Sequence, residues 1–95
     1  MSVIFNRIDT ALVSTGPTEV IGTGEVGSID EVQLVVEKTG GGSVTIEGSN
    51  EPEEGWGWTL TVEVPTEGLY RSRMPLDVPK NIRLAATGAE LSIRG

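Results

Sequence analysis

Apolar residues recur at every second position along much of this 95-residue chain, and that spacing is the period of a β-strand. The clearest run spans residues 55–64, and its apolar positions are Trp56, Trp58, Leu60, Val62 and Val64. Glycine, threonine and glutamate fill the positions between them. The pattern predicts the longest strand of the protein, with both tryptophans of the chain on one face.

Shorter runs of the same kind, separated by glycine and proline turn signals, predict an all-β protein. The predicted strands cover residues 11–14, 18–22, 31–38, 43–47, 55–64, 69–74, 81–86 and 89–94. The third of these is ambiguous, because Ser28 and Glu31 have the spacing of a helix capping box. The valines of that segment favour a strand. We therefore predict an antiparallel β-sandwich, jelly-roll-like, with about eight short strands.

Two glycine-containing turns predict hairpins between neighbouring strands. Gly40-Gly41-Gly42 separates the third and fourth predicted strands, so these two are expected to pair as a meander. Thr87-Gly88 separates the last two strands, which are expected to form a C-terminal hairpin. Arg83 and Arg94 fall at outward or edge positions of this hairpin, where cationic side chains discourage pairing with stray strands.

A chain of this length is expected to form a single domain, because domains commonly need on the order of 100 residues. Residues 11–95 are predicted to form this single β-sandwich. Residues 1–10 alternate poorly and are interpreted as an edge strand or as an arm that leaves the domain. In the arm interpretation, Ser2 to Asp9 reaches a neighbouring molecule, with Val3 and Phe5 as candidate interface residues.

The chain contains no cysteine and no histidine. The first absence removes disulfides, thiolate nucleophiles and thiolate zinc sites. The second removes the commonest general base and the commonest transition-metal ligand. No GxSxG elbow, phosphate loop or dinucleotide fingerprint occurs either. We therefore expect a protein that is not an enzyme and that uses no cofactor and no metal.

Fourteen acidic residues face seven basic residues, which gives a formal net charge of −7. Such a surface repels phosphate backbones and anionic membranes, so we expect neither a nucleic acid nor a membrane as a partner. No apolar run approaches the roughly 20 residues that a helix needs to span a bilayer. The first ten residues lack the basic start and apolar stretch of a signal peptide, which predicts synthesis in the cytoplasm.

Three features have both a structural and a functional interpretation. The glutamates of the loop at 48–55 could hold a calcium ion, but their spacing favours a solvated loop. The two tryptophans share their predicted face with aliphatic residues, which favours packing over a carbohydrate platform. Trp56 lies at the strand end beside glycines and is the candidate ligand-facing aromatic residue.

Arg71 and Arg73 alternate with Tyr70, Ser72 and Met74 and are therefore predicted to face solvent together. One interpretation is ordinary cross-strand pairing with glutamates such as Glu63. The other is a contact with an acidic partner, because arginine is enriched at interfaces. On the second interpretation, Arg71 and Arg73 are candidate interface residues.

The second half of the chain resembles a known group of proteins. A strand ends in GSN at 48–50, a tryptophan-bearing strand follows, then GLY at 68–70, and finally NIRLAATGAELSIRG at 81–95. This succession, over residues 44–95, resembles the small β-sandwich structural proteins of tailed bacteriophage virions. The resemblance implies a capsid decoration (cement) protein that bridges capsid subunits. It also implies the major capsid protein or another virion protein as partner, a homo-oligomer such as a trimer, and location in the virion.

The same motifs leave other functions open. GSN followed by tryptophan, and IRL followed by a TG turn, are also similar to carbohydrate-binding and discoidin-like β-sandwiches. A carbohydrate-binding module is therefore an alternative, and so is a tail or adaptor component of the virion. All of these proteins share a jelly roll or a related sandwich, so the expected fold does not depend on the choice among them.

Overall fold

The structure, a computed structural model, describes residues 12–23, 33–75 and 77–94. The predicted arm at residues 1–10, with Val3 and Phe5, lies outside the described residues. The strands within the described ranges are β1 (Leu12–Ser14), β2 (Ile21–Gly22), β3 (Gln33–Glu37), β4 (Gly42–Ser49), β5 (Trp58–Val64), β6 (Leu69–Arg73), β7 (Asn81–Leu84) and β8 (Glu90–Arg94). One turn of 3-10 helix, Pro52–Glu54, lies between β4 and β5.

The eight described strands form two antiparallel sheets. Sheet A has the order β1-β8-β3-β6, and sheet B has the order β2-β7-β4-β5. This is the strand order of a double-sheet jelly roll. The predicted all-β, jelly-roll-like sandwich of about eight short strands is confirmed. The longest described strand is β4 with eight residues, because β5 starts only at Trp58 and not at residue 55 as predicted.

The chain path is one long hairpin that has been folded over. The first four strands run against the last four, so that β4 pairs with β5, β3 with β6, β2 with β7 and β1 with β8. Two further pairings, β3 with β8 and β4 with β7, join these ribbons into the two sheets.

Both hairpins predicted from glycine turns are wrong. β3 lies in sheet A and β4 in sheet B, so Gly40-Gly41-Gly42 carries the chain from one sheet to the other. β7 and β8 are divided in the same way. β7 and β8 are also interior strands of their sheets. Arg83 and Arg94 therefore do not protect a sheet edge from pairing with other strands. A three-residue glycine turn suits a tight hairpin and a sharp corner equally well, because glycine adopts φ values that other residues avoid.

The core lies between the sheets and receives every second residue of each long strand. Leu34 and Val36 point inward from β3, and Leu91 and Ile93 point inward from β8. Among the described residues, the buried cluster consists of Ile21, Leu34, Val36, Val44, Ile46, Val62, Val64, Ile82, Leu84, Leu91 and Ile93. The alternation in the sequence therefore indicates the inner face of each strand correctly.

Sheet A departs from simple alternation at its centre. Val35 and Ser92 are paired neighbours on the face that points away from sheet B. They are nevertheless only 0% and 1% exposed. Alternation correctly predicts that these two side chains point away from sheet B. It does not predict that they are buried there.

Candidate binding surface

The outer face of sheet B is a polar surface built by the residues that alternate with the core. Its members from β4, β5 and β7 are Ser43, Thr45, Glu47, Thr59, Thr61, Glu63 and Arg83. The hydroxyl oxygens of Thr45 and Thr61 lie 3.2 Å apart across the two strands, and Ser43 donates a hydrogen bond to the Glu63 carboxylate. Cross-strand pairs of this kind stabilise the sheet and leave the surface hydrophilic.

Arg83 is the centre of this surface. Its Nε donates to Oε1 of Glu47 at 3.0 Å, and its Nη1 donates to the carbonyl oxygen of Pro17 at 2.9 Å. Its guanidinium carbon lies 4.0 Å from the centre of the Trp56 ring, which is cation–π geometry. The Arg83 and Glu47 side chains are 23% and 26% exposed, so water screens this ion pair only in part. Arg83 thus joins three separate parts of the chain.

The two tryptophans lie on opposite faces of sheet B, and the prediction that they share a face is wrong. Trp58 belongs to β5 and packs against the core. Trp56 precedes the strand, between Gly55 and Gly57, and its ring meets the outward-pointing Arg83. Gly55 has φ of +118°, which only glycine adopts easily, so the chain leaves the strand geometry before Trp56. Trp56 is half-buried, and so is Trp58.

Trp58 has a structural role. A Cβ atom on Gly48 would lie 2.8 Å from Cε3 of the Trp58 ring, so the ring lies directly over that glycine. Its Nε1 is 3.5 Å from the Asp77 carboxylate, at the limit of a hydrogen bond. The absent side chain at Gly48 makes room for the indole. This explains the G in the GSN motif through packing.

The other residues of GSN hold two loops together. The Asn50 side-chain oxygen accepts a hydrogen bond from the Lys80 backbone N–H at 2.9 Å. The Asn81 side chain donates to the Ser49 carbonyl at 3.3 Å, and the Ser49 hydroxyl accepts from the Glu51 N–H at 3.0 Å. The loop between β4 and β5 is thereby tied to the loop before β7. This link joins the two motifs that we singled out in the sequence, and their spacing alone did not reveal it.

Arg71 and Arg73 are exposed on β6, as predicted. β6 is an edge strand whose described sheet neighbour is β3, so Glu63 on β5 is not its cross-strand partner. Of the two interpretations, cross-strand pairing with Glu63 is therefore wrong. Within the described residues, neither guanidinium has an ion-pair partner.

Carboxylates are spread over both ends of the sandwich. Glu51, Glu53 and Glu54 lie exposed around the 3-10 turn. At the opposite end, an open depression of about 720 Å³ is lined by loop residues that include Glu37, Lys38, Glu67 and Glu90. In the part of the chain that the structure describes, no group of three or more acidic side chains is arranged to hold a metal ion.

Comparisons of this chain with known proteins identified no relative. No protein-family model, no curated protein and no solved structure matches this chain. Over residues 12–23, 33–75 and 77–94, no helix is long and apolar enough to cross a membrane. Function must therefore be argued from the geometry of the sandwich and its surfaces.

Replacing Arg83 with methionine should lower the free energy of unfolding by about 1–3 kcal/mol, because the Glu47 ion pair, the Pro17 hydrogen bond and the Trp56 ring contact all disappear. Chemical denaturation followed by circular dichroism measures this change. Arg71→Met is the matched control, because Arg71 is exposed and has no ion-pair partner among the described residues. It should change the stability by less than about 0.5 kcal/mol. Equal effects of the two substitutions would contradict the role given to Arg83.

Proposed function

We propose that this protein is a non-enzymatic structural protein of a tailed-phage virion, and most specifically a capsid decoration protein. Its work is adhesion: copies bind where subunits of the major capsid protein or another virion protein meet and add buried area across the joint. The proposal places the chain in the virion after synthesis in the host cytoplasm. It involves neither nucleic acid nor membrane as a partner.

The observation that supports this function most strongly is the strand order. Eight strands in the order β1-β8-β3-β6 and β2-β7-β4-β5 form the double-sheet jelly roll that recurs in viral capsid and lectin domains. Two of the motifs that resemble phage sandwich proteins, GSN and the start of NIRL, meet where the loops around Asn50 and Lys80 are joined. In this fold their side chains hold the two loops together.

The exposed arginines supply a contact for an acidic joint. Arg71 and Arg73 project from the outer face of edge strand β6. Arginine is enriched at interfaces and among the residues that contribute most to binding. A decoration protein needs only weak individual contacts, because symmetry repeats each contact many times over a particle.

Electron microscopy of intact particles tests this proposal. Gold-labelled antibody against the chain, applied to virions from the phage that encodes it, should mark the shell at regular positions. Label on the tail alone would replace decoration with the tail or adaptor role. Absence of the chain from purified particles would overturn the virion proposal altogether.

A second candidate function is carbohydrate binding on the outer face of sheet B. The observation that favours it is the half-buried Trp56, whose ring lies against the Arg83 guanidinium. Glu47 and Thr59 lie on the same outer face as Arg83. Sugar sites combine an aromatic ring, which stacks on the apolar side of the sugar, with polar groups that bind its hydroxyls.

Glycan-array binding together with tryptophan fluorescence distinguishes carbohydrate binding from the proposed adhesion to a capsid protein. An oligosaccharide that binds should shift the fluorescence of the wild-type chain. Trp56→Ala should abolish the array signal while the domain stays folded, and Trp56→Phe should retain part of it. No signal from the wild-type chain on the array would reject the carbohydrate candidate.

A further inference from the structure

The four edges of the two sheets differ in how well they are protected from pairing. β1 and β2 are only three and two residues long, and β6 carries Arg71 and Arg73 on its outer face. Short strands and charged side chains are the usual means of keeping edges apart. β5 has seven residues, no proline and Glu63 as its single charge. Of the described edges, β5 is the one without such protection.

The backbone of β5 is regular along this edge. Its pairing with β4 runs from Gly42 opposite Val64 to Gly48 opposite Trp58 without a skipped residue, so no bulge turns the edge away. β5 pairs with β4 on one side, and no described strand pairs with its other side. A straight, open edge of this length is a template for another strand.

The direction of the free backbone groups follows from one hydrogen bond. The Thr45 carbonyl accepts from the Ala85 N–H at 2.9 Å, so the backbone groups of Thr45 point toward β7. Thr45 and its partner Thr61 are therefore a non-hydrogen-bonded pair, and the N–H and C=O of Thr61 point away from β4. Because the direction alternates along a strand, Thr59 and Glu63 present their backbone groups to the same open edge.

We propose that this edge pairs antiparallel with the β5 edge of a second copy, around a two-fold axis at Thr61. In this register Thr61 lies opposite Thr61, and Glu63 of each copy lies opposite Thr59 of the other. Each of these pairs can exchange two backbone hydrogen bonds, and the single charge of the strand never meets its equivalent. An isologous contact of this type closes as a dimer.

The apolar side of β5 fits the same occupant. Val62 and Val64 are 4% and 5% exposed, whereas the inward-facing Trp58 and Leu60 are only half-buried. In the proposed register, Leu60 lies opposite Val62 of the second copy and Trp58 lies opposite Val64. Side chains directly opposite each other in an antiparallel pair lie about 4.5–5.5 Å apart, so this contact would cover the two residues that the monomer leaves half-open.

Substitutions at Thr61 test both the surface and the register. The wild-type chain should show twice the monomer mass in sedimentation equilibrium at moderate salt, where the repulsion between two acidic chains is screened. Thr61→Lys places two lysines at the axis and Thr61→Glu places two glutamates there. Each variant alone should dimerise about tenfold or more weakly, because like charges face each other across the contact. An equimolar mixture should restore a dimer, which native mass spectrometry identifies as a heterodimer.

Two further variants control for structure. Thr45→Lys removes the same hydroxyl contact to Thr61 and places the same charge on the neighbouring strand, so it should still dimerise. Thr61→Pro removes the outward N–H together with the hydroxyl contact to Thr45, but no backbone hydrogen bond to β4. It should give a folded monomer, because proline is tolerated where a strand edge faces solvent. Circular dichroism confirms the folding of every variant.

A monomeric wild-type chain, a three-fold mass, or folded Thr61 variants whose mixture stays monomeric would each overturn the proposed contact. The dimer goes beyond the proposed function and needs no particle. Its failure would therefore leave the virion proposal standing, and failure of the labelling experiment would leave the dimer standing.

Discussion

Replacing Leu84 with alanine should lower the free energy of unfolding by about 2–5 kcal/mol. Leu84 is 0% exposed at the centre of sheet B, opposite Ile46 on β4, and it points into the cluster shared by both sheets. Truncation removes buried methyl groups and leaves a cavity that rigid strands on both sides cannot close. A domain of this size is stable by only about 5–15 kcal/mol, so the loss is a large part of the total.

Chemical denaturation of the purified variant measures this loss as a lower transition midpoint at unchanged slope. Leu69→Ala is the matched control, because Leu69 is 37% exposed on the edge strand β6. The control should cost less than about 1 kcal/mol, since much of the side chain is already in water. If Leu84→Ala and Leu69→Ala destabilised the chain equally, the core described here would be wrong.

Replacing Gly41 with alanine should cost about 2–5 kcal/mol, through backbone strain and through atomic overlap. Gly41 has φ of +73°, and a Cβ atom there would overlap the Pro65 carbonyl oxygen and lie 2.6 Å from the Val64 carbonyl oxygen. At this corner the chain crosses from sheet A to sheet B and passes directly against the end of β5. Backbone atoms cannot move aside as a flexible side chain can.

Gly40 offers the matched control for this effect. It has φ of +81°, but a Cβ atom there would meet nothing within 4 Å. Gly40→Ala should therefore cost only the roughly 1–2 kcal/mol of a left-handed residue. The difference between the two midpoints of unfolding measures the overlap at Gly41 alone. Equal midpoints for the two variants would mean that Gly41 does not pack against the Val64–Pro65 backbone.

The strands and their inner faces could be predicted from the sequence because both depend on local periodicity. Leu91 and Ile93 alternate with polar residues, so they lie in the core if one face of the strand is buried. The exposure of Arg71 and Arg73 follows from the same rule applied to the other face. These predictions hold whichever strands are neighbours.

The distribution of strands between sheets could not be predicted from the same pattern. β3 and β4 each place alternating apolar residues on an inward face, and that pattern is satisfied by pairing in one sheet or by packing across two. The choice depends on contacts such as β1 with β8, whose residues come from opposite ends of the described chain. A turn of three glycines contains no information on such distant partners.

The position of Trp56 was missed for a related reason. Its spacing from Trp58 suggests a shared face, and this inference assumes that the strand continues through Gly57. Two flanking glycines and the Arg83 guanidinium place the ring on the other face instead. The signal that was available is composition: glycine on both sides of an aromatic residue weakens the assumption of a continuous strand. The contacts of Arg83 could not be predicted from the sequence, because its partners Glu47 and Pro17 are distant along the chain.

The pairing of the first strand with the last has a topological consequence. Leu12 at the start of β1 lies opposite Ile93 near the end of β8, so the chain enters and leaves the described fold at adjacent points. A short linker could join these points while the loop at Pro52–Glu54 is opened, which would produce a circular permutant with every strand pairing retained. The order in which the strands are synthesised is therefore separable from the architecture that they build.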